Sequence, residues 1–218
     1  ADERFSTVRE LYDVTKAYAD SAKEKTVPLG TLRVENVNGD VQILGKGNTP
    51  AQLTHWSFGQ LSTRIGAPAS YLRSLPATLA AQNLNHGLAK QAPDTDVNLL
   101  MHCNGGLLLR AMTSDRYSRI WNWEIADRLL DMEQQGWEPA RPDIRVKDGS
   151  VAIYASDHDM FAFMRSDRTI AEPGNTDGLR RGMIVVNNEV GGGSLLLLRF
   201  LYRAMCGNHI IWGAEDVV

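Results

Sequence analysis

Between Leu109 and Trp123 the chain reads Leu-Arg-Ala-Met-Thr-Ser-Asp-Arg-Tyr-Ser-Arg-Ile-Trp-Asn-Trp, so Arg110, Arg116 and Arg119 are interleaved with Tyr117, Trp121 and Trp123. Guanidinium groups hold phosphates and flat rings stack on bases, which is what a single-strand groove needs. The same residues suit a strand-to-helix corner whose tryptophans fill the core and whose arginines pair with Asp115 and Glu124. A second stretch runs Arg180-Arg-Gly-Met-Ile-Val-Val-Asn-Asn-Glu-Val-Gly-Gly-Gly-Ser, then Leu-Leu-Leu-Leu-Arg-Phe-Leu-Tyr-Arg-Ala-Met-Cys-Gly-Asn. Arg199 and Arg203 share a face in a strand or a helix, because four residues is an even number and about one helical turn. Tyr202 lies between them as a further ring for stacking. Asn187, Asn188 and Glu189 interrupt a run of strand composition, where Asn and Glu are depleted. Polar residues set against local propensity mark a candidate site.

Other chemistries find less support. Gly45-Lys-Gly-Asn-Thr-Pro follows a strand and opens a helix, yet Gly39 lies one residue too far away for a Walker loop. Lys46 is also followed by Gly47, and the third glycine of a dinucleotide fingerprint is missing. His102, Cys103, Cys206 and His209 make only a superficial zinc set, since neighbours on a strand point to opposite faces. Asp157-His158-Asp159 has no spaced partner, and Glu124, Asp127 and Asp131 recur as on a solvated helix face. Neither a Gly-x-Ser-x-Gly elbow nor a Cys–His nucleophile signature occurs. The sequence therefore gives no reason to expect an enzyme, a metal or a cofactor.

Composition bounds the rest. A chain of 218 residues supports one well-buried core, or one core with an appendage. Hydrophobic residues at 43% and charged residues at 22% exclude wholesale disorder. The longest aliphatic run, Leu195 to Leu198, falls far short of the roughly 20 apolar residues of a membrane span. The charged start Ala-Asp-Glu-Arg-Phe lacks the apolar stretch of a secretory signal, and two cysteines make no disulfide framework, so the expected setting is the cytoplasm. Net charge is −3, which removes a whole-chain electrostatic argument for nucleic acid. Residues 160–213 nevertheless carry six Arg against four acids, so a local arginine-lined groove is compatible with the balance.

The elements that must position these residues follow from periodicity. Residues 4–24 read as a helix, with Phe5, Val8, Leu11, Tyr12, Thr15, Ala19 and Ala22 at three- and four-residue spacing. That helix either binds a partner or packs on its own domain. Alternating runs flank Asn38-Gly39, a strong hairpin signal. Thr49 or Asn48 would cap a helix with Pro50 in its first turn, running through Leu53, Trp56, Phe58, Leu61 and Ile65. Short helices follow at 71–75 and from Pro76 to Leu84. The cluster is somewhat like a helix-turn-helix but lacks a basic face, which makes it scaffold.

Strands follow at 97–102 and 107–112 about Gly105-Gly106, then a helix at 123–135 stopped by Gly136. Further strands are expected at 144–146, 151–154 and 160–164, with a turn at Asp148-Gly149. Residues 166–182 read as a long polar loop, 183–190 as a strand and 195–205 as an apolar helix or strand. The expected fold is α+β. One antiparallel sheet would be built from 97–112, 144–164 and 183–205, with the long helix packed on it. An N-terminal helix and a small helical cluster would lie at one side. The expected division is 1–95 and 96–218, the two parts forming one compact unit.

Three runs carry a family resemblance: Thr113-Ser-Asp-Arg-Tyr-Ser-Arg-Ile, Val185-Val-Asn-Asn-Glu-Val-Gly-Gly-Gly-Ser and Leu201-Tyr-Arg-Ala-Met-Cys-Gly-Asn. In this order they resemble motifs of the phage- and plasmid-borne family called domain of unknown function 932, over about Phe58 to Gly213. The chain departs from the pattern at Asn187-Asn188 and at His209, and the pattern continues past Val218. The resemblance implies a protein of mobile elements that acts in DNA metabolism. Through likeness to the Rad-fifty-two-like annealing superfamily it implies binding and annealing of single-stranded DNA in recombination or replication. A homo-oligomer is implied too, with the 4–24 helix as a contact and an exonuclease or host protein as further partners; a head-to-tail interface would suit it. On this reading Arg110, Arg116, Tyr117, Arg119, Arg199, Tyr202 and Arg203 line one groove. The alternative, which the acidic balance suits, is a protein-interaction module that blocks a host defence.

Overall fold

The computed structural model describes residues 3–45, 49–92, 94–103, 105–140, 152–170, 179–203 and 211–217, the last seven together with 202–203 by backbone alone. The chain opens with β1 (Glu3–Phe5), α1 (Val8–Ser21), β2 (Ala22–Pro28), β3 (Arg33–Val37), β4 (Asp40–Leu44) and β5 (Pro50–Leu53). Next come α2 (His55–Arg64), α3 (Ala69–Ser74), α4 (Ala77–Leu88), β6 (Asp96–Cys103), β7 (Leu107–Ser114) and α5 (Asn122–Glu133). Six strands close it: β8 (Trp137–Pro139), β9 (Ile153–Ala155), β10 (Asp159–Ile170), β11 (Leu179–Asn188), β12 (Leu196–Arg203) and β13 (Ile211–Val217). The class is α+β, as expected. The division is not at 95/96. One unit is residues 20–119, inserted into a second unit made of 1–19 and 120–218.

In the outer unit two side-chain bonds set the start of the first helix. Thr7 Oγ1 accepts from Glu10 N at 3.1 Å, and Glu10 Oε2 accepts from Ser6 N at 2.8 Å. This start shortens the helix expected at 4–24. Phe5 falls in a strand paired with Ile153, and Ala22 starts β2. Val8 and Leu11 of α1 pack with Phe5 against Ile125 and Leu129 of α5, so the apolar stripe is used within its own unit. The same core takes alternate residues of the sheet, Met160, Ala162 and Met164 from β10 and Val185 from β11. The sheet order is β1-β9-β10-β11-β12-β13, with β8 on β10, and every pairing is antiparallel.

One expectation changes here and one open alternative is decided. The polar segment 166–182 is not one loop, because β10 runs on to Ile170 and β11 starts at Leu179. Segment 195–205 is resolved as strand from 196 to 203. The strand at 144–146 and the turn at Asp148-Gly149 lie outside the described residues.

The inserted unit has its own sheet, ordered β2-β6-β7-β5-β4-β3. The 97–112 hairpin therefore belongs here, apart from the 153–203 strands, and the single expected sheet is two. Asn38 (φ 55°) and Gly39 (φ 95°) make the two-residue turn between β3 and β4, where positive φ at both positions suits the strand twist. Pro50 opens β5 rather than a helix; a residue without an N–H is tolerated at the first position of a strand. Leu53 of β5 pairs in parallel with Leu109, which makes this sheet mixed. The cap moves to Thr54, whose Oγ1 accepts from Ser57 N at 3.0 Å. Leu61, Leu72 and Leu84 of the three helices pack into one core with Val34, Leu99 and Leu109 of the sheet.

Candidate nucleic-acid interface

The seven residues expected to share a groove divide between the units. Arg110, Arg116, Tyr117 and Arg119 belong to the inserted unit, and Arg199, Tyr202 and Arg203 to the outer one. Arg110 sits where β7 slips register against β6, between the partners of Leu100 and Met101, and is only 6% exposed. Arg119 turns back to Glu24 of β2, Nε to Oε1 at 2.6 Å, with 4% of its side chain exposed. Its guanidinium lies 5.5 Å from the centre of the half-buried Tyr117 ring. The partner is Glu24, not Asp115 or Glu124. Glu124 accepts instead from Trp121 N at 2.9 Å at the start of α5. Of the three arginines in this run, only Arg116 is exposed. Burial also lowers the pKa of Arg64 from its ordinary value, with Asp115 opposing, while its guanidinium donates to Met112 O at 3.4 Å.

Burial makes a prediction about Arg119 that differs from a groove role. Arg119→Ala should lower the stability of the inserted unit by about 1–2 kcal/mol, since it removes packing as well as a partly exposed ion pair. Affinity for single-stranded oligonucleotide should stay within about twofold, a change too small for a lost charge-assisted bond. A denaturant titration beside a binding titration reads both; unchanged stability with weakened binding would return Arg119 to the groove.

In the outer unit, the polar run on β11 is buried. Asn187 donates through Nδ2 to Ile120 O at 2.9 Å and to Asn122 Oδ1 at 2.8 Å. Glu189 Oε2 accepts from Asn122 N at 3.1 Å, so a buried carboxylate meets the positive end of α5. Asn188 bridges Asp159 Oδ1 at 2.7 Å and Gly192 N at 2.6 Å. These bonds fix the α5 entry and the corner after β11, which accounts for polar residues in a strand without a ligand. Trp123 has a packing role as well, edge-on to Tyr12 and 5.0 Å from Lys16 Nζ.

Arg199 is exposed on β12, diagonal to exposed Arg181 on β11, since Met183 pairs with Arg199 and Arg181 with Leu201. Glu215 of β13 is the cross-strand neighbour of Arg199. The strand register places Tyr202 opposite Arg180 and Arg203 opposite Leu179; their side chains lie outside the described residues.

A site that the sequence reading missed lies at the irregular part of β10. Arg165 pairs with Gly182 and Thr169 with Arg180, so Ser166, Asp167 and Arg168 oppose Arg181 alone. Such a bulge bends the strand and re-aims its side chains. It is pinned by Asp167 N donating to Gly136 O at 2.8 Å and by Ser166 Oγ accepting from Arg168 N at 3.2 Å. Gly136, at φ 88° after α5, turns the chain so that Trp137 pairs with Ser166. The result is an open cavity of about 500 Å³ lined by Gln135, Trp137, Ser166, Arg168, Thr169, Ile170 and Arg181. Arg165 is neutralised by Glu138 at 2.7 Å, whereas Arg168 and Arg181 have no acidic partner among the described residues. The available signal was Ser-Asp-Arg-Thr inside a run of strand residues, since Asp and Ser disturb strand alternation.

His102 and Cys103 diverge, His102 buried and 2.7 Å from Ser21 Oγ, Cys103 exposed. Cys206 and His209 lie outside the described residues. Among the described residues no group of three or more His, Cys, Asp or Glu could hold a metal ion, and no helix is long and apolar enough to cross a membrane. No family model, curated protein or solved structure matches the chain.

Proposed function

We propose that this protein binds single-stranded DNA along β10, β11 and β12 of the outer unit, as a homo-oligomeric annealing protein of phage or plasmid recombination or replication. The observation that carries the reading is the trio Arg168, Arg181 and Arg199, exposed cations on three adjacent strands. A strand laid across them meets one guanidinium per strand, and Arg181 and Arg199, as diagonal neighbours, stand about 7–8 Å apart at the backbone. The three runs that resemble the mobile-element family support the annealing part of the reading. Arg110 and Arg119 have no part in it, because their guanidinium groups are buried.

Affinity for a labelled oligonucleotide should fall with salt, with a log–log slope of about −1.4 for two phosphates at roughly −0.7 each, one held by Arg168 with Arg181 and one by Arg199. Arg199→Gln should remove about 0.7 from that slope's magnitude. Fluorescence anisotropy across a salt series reads both quantities, and a flat series or no binding at low salt overturns the proposal. Light scattering that returns the monomer mass of 24.1 kDa at high concentration, with and without oligonucleotide, would remove the oligomer.

A further inference from the structure

We infer that the cavity at the β10 bulge holds one nucleotide unit of a single strand, its phosphate between Arg168 and Arg181 and its base against Trp137. The inference rests on the proposed strand binding and adds to it a site that recognises a base.

A flat exposed arginine patch needs no cavity to hold phosphate. Here the bulge places extra residues of β10 opposite Arg181 alone, and so brings a second guanidinium to the open cavity. The volume of about 500 Å³ lies within the range of small-ligand sites, which combine ring surface with a few placed polar groups. Trp137 supplies the ring. It is half-buried, its buried side packed against the core that holds Leu129 and Met164, so it is held as a fixed platform. Asp167 packs over Gly136 and does not line the cavity, so the lining carries cations, hydroxyls, an amide and an indole with no carboxylate among the described residues. Two guanidiniums suit a phosphodiester, and an indole suits any base, because every base has a π-face.

The test compares an oligothymidylate of about 20 nucleotides with an abasic phosphodiester chain of equal length. Wild-type protein should prefer the thymidylate by about fivefold or more, the least that one stacked base supplies. W137L should abolish the preference, and W137F should keep it while preserving the packing. R168Q/R181Q, on exposed side chains, should weaken binding to both chains and lower the salt slope by about 0.7, one phosphate's share. Free dTMP should compete only at much higher concentration than the strand; competition at equal concentration would overturn the strand as ligand. Equal wild-type affinity for the two chains, or a preference that survives in a folded W137L, overturns the cavity assignment and leaves strand binding by the sheet standing. Wild-type protein that binds neither chain at about 20 mM salt overturns both.

Discussion

Asn187→Leu should destabilise the outer unit by about 2–4 kcal/mol, seen as a lower denaturation midpoint at an unchanged slope. Asn187 is 2% exposed, and its amide serves two acceptors, Ile120 O and Asn122 Oδ1. Leucine fills nearly the same volume but leaves the buried Asn122 Oδ1 and the part-buried Ile120 O without that donor. The cost of the change is therefore desolvation rather than a cavity. Asn122 also carries the N–H that Glu189 accepts, so the loss reaches the first turn of α5 and the helix core beneath it. Asn122→Leu in the Asn187→Leu background should cost less than the sum of the two single changes, by about 1 kcal/mol, because one orphaned acceptor disappears. A single-variant loss under about 0.5 kcal/mol would mean that water already satisfies the cluster.

Gly182→Val carries the second large effect, a loss of about 2–3 kcal/mol despite valine's better strand propensity. Gly182 and Phe200 are cross-strand partners, and the Phe200 ring lies over the glycine where a Cβ would stand. The ring is held there by Phe163, 5.2 Å away at 32°, and is 4% exposed. Any side chain at 182 must therefore displace a packed ring. Propensity favours valine by about 1 kcal/mol at most, which overpacking outweighs. Gly182→Val combined with Phe200→Ala should recover part of the loss. Thermal melts of the two singles and the double decide it, and strict additivity would sink the explanation.

What could be read in the sequence was local. The turn at Asn38-Gly39 shows itself because two adjacent residues must take positive φ, α4 through Pro76 at its start, and α5 through its spacing and the stop at Gly136. What was misread depended on distant partners. Pro50–Leu53 looked like a helix start because its parallel partner β7 lies more than fifty residues onward. The 97–112 hairpin looked like part of the later strands because its pairing with β2, seventy or more residues earlier, leaves no mark on composition. The site followed the same rule. Arg119 looked free for phosphate because Glu24 lies 95 residues away in sequence. Of the two cavity arginines, Arg181 was visible at the head of the run from Arg180, but both it and Arg168 fell in the segment 166–182 that reads as a loop. A bulge breaks the two-residue alternation by which strands are recognised.

The insertion of residues 20–119 sets an order on the ribosome. Everything that the inserted sheet pairs with has been made by Ser114, so that unit can close while the rest of the chain is still being synthesised. The opening segment cannot follow suit. Phe5, Val8 and Leu11 wait for α5 and for Ile153, so this apolar stripe emerges before the inserted unit and is covered after it. During that interval it is exposed to chaperones, proteases and other nascent chains, and the charges along α1 act against its aggregation. Cutting the gene between the units is likewise asymmetric. A fragment of 20–119 carries all its strand partners with it, whereas 120–218 alone lacks β1 and one of the two helices of its core.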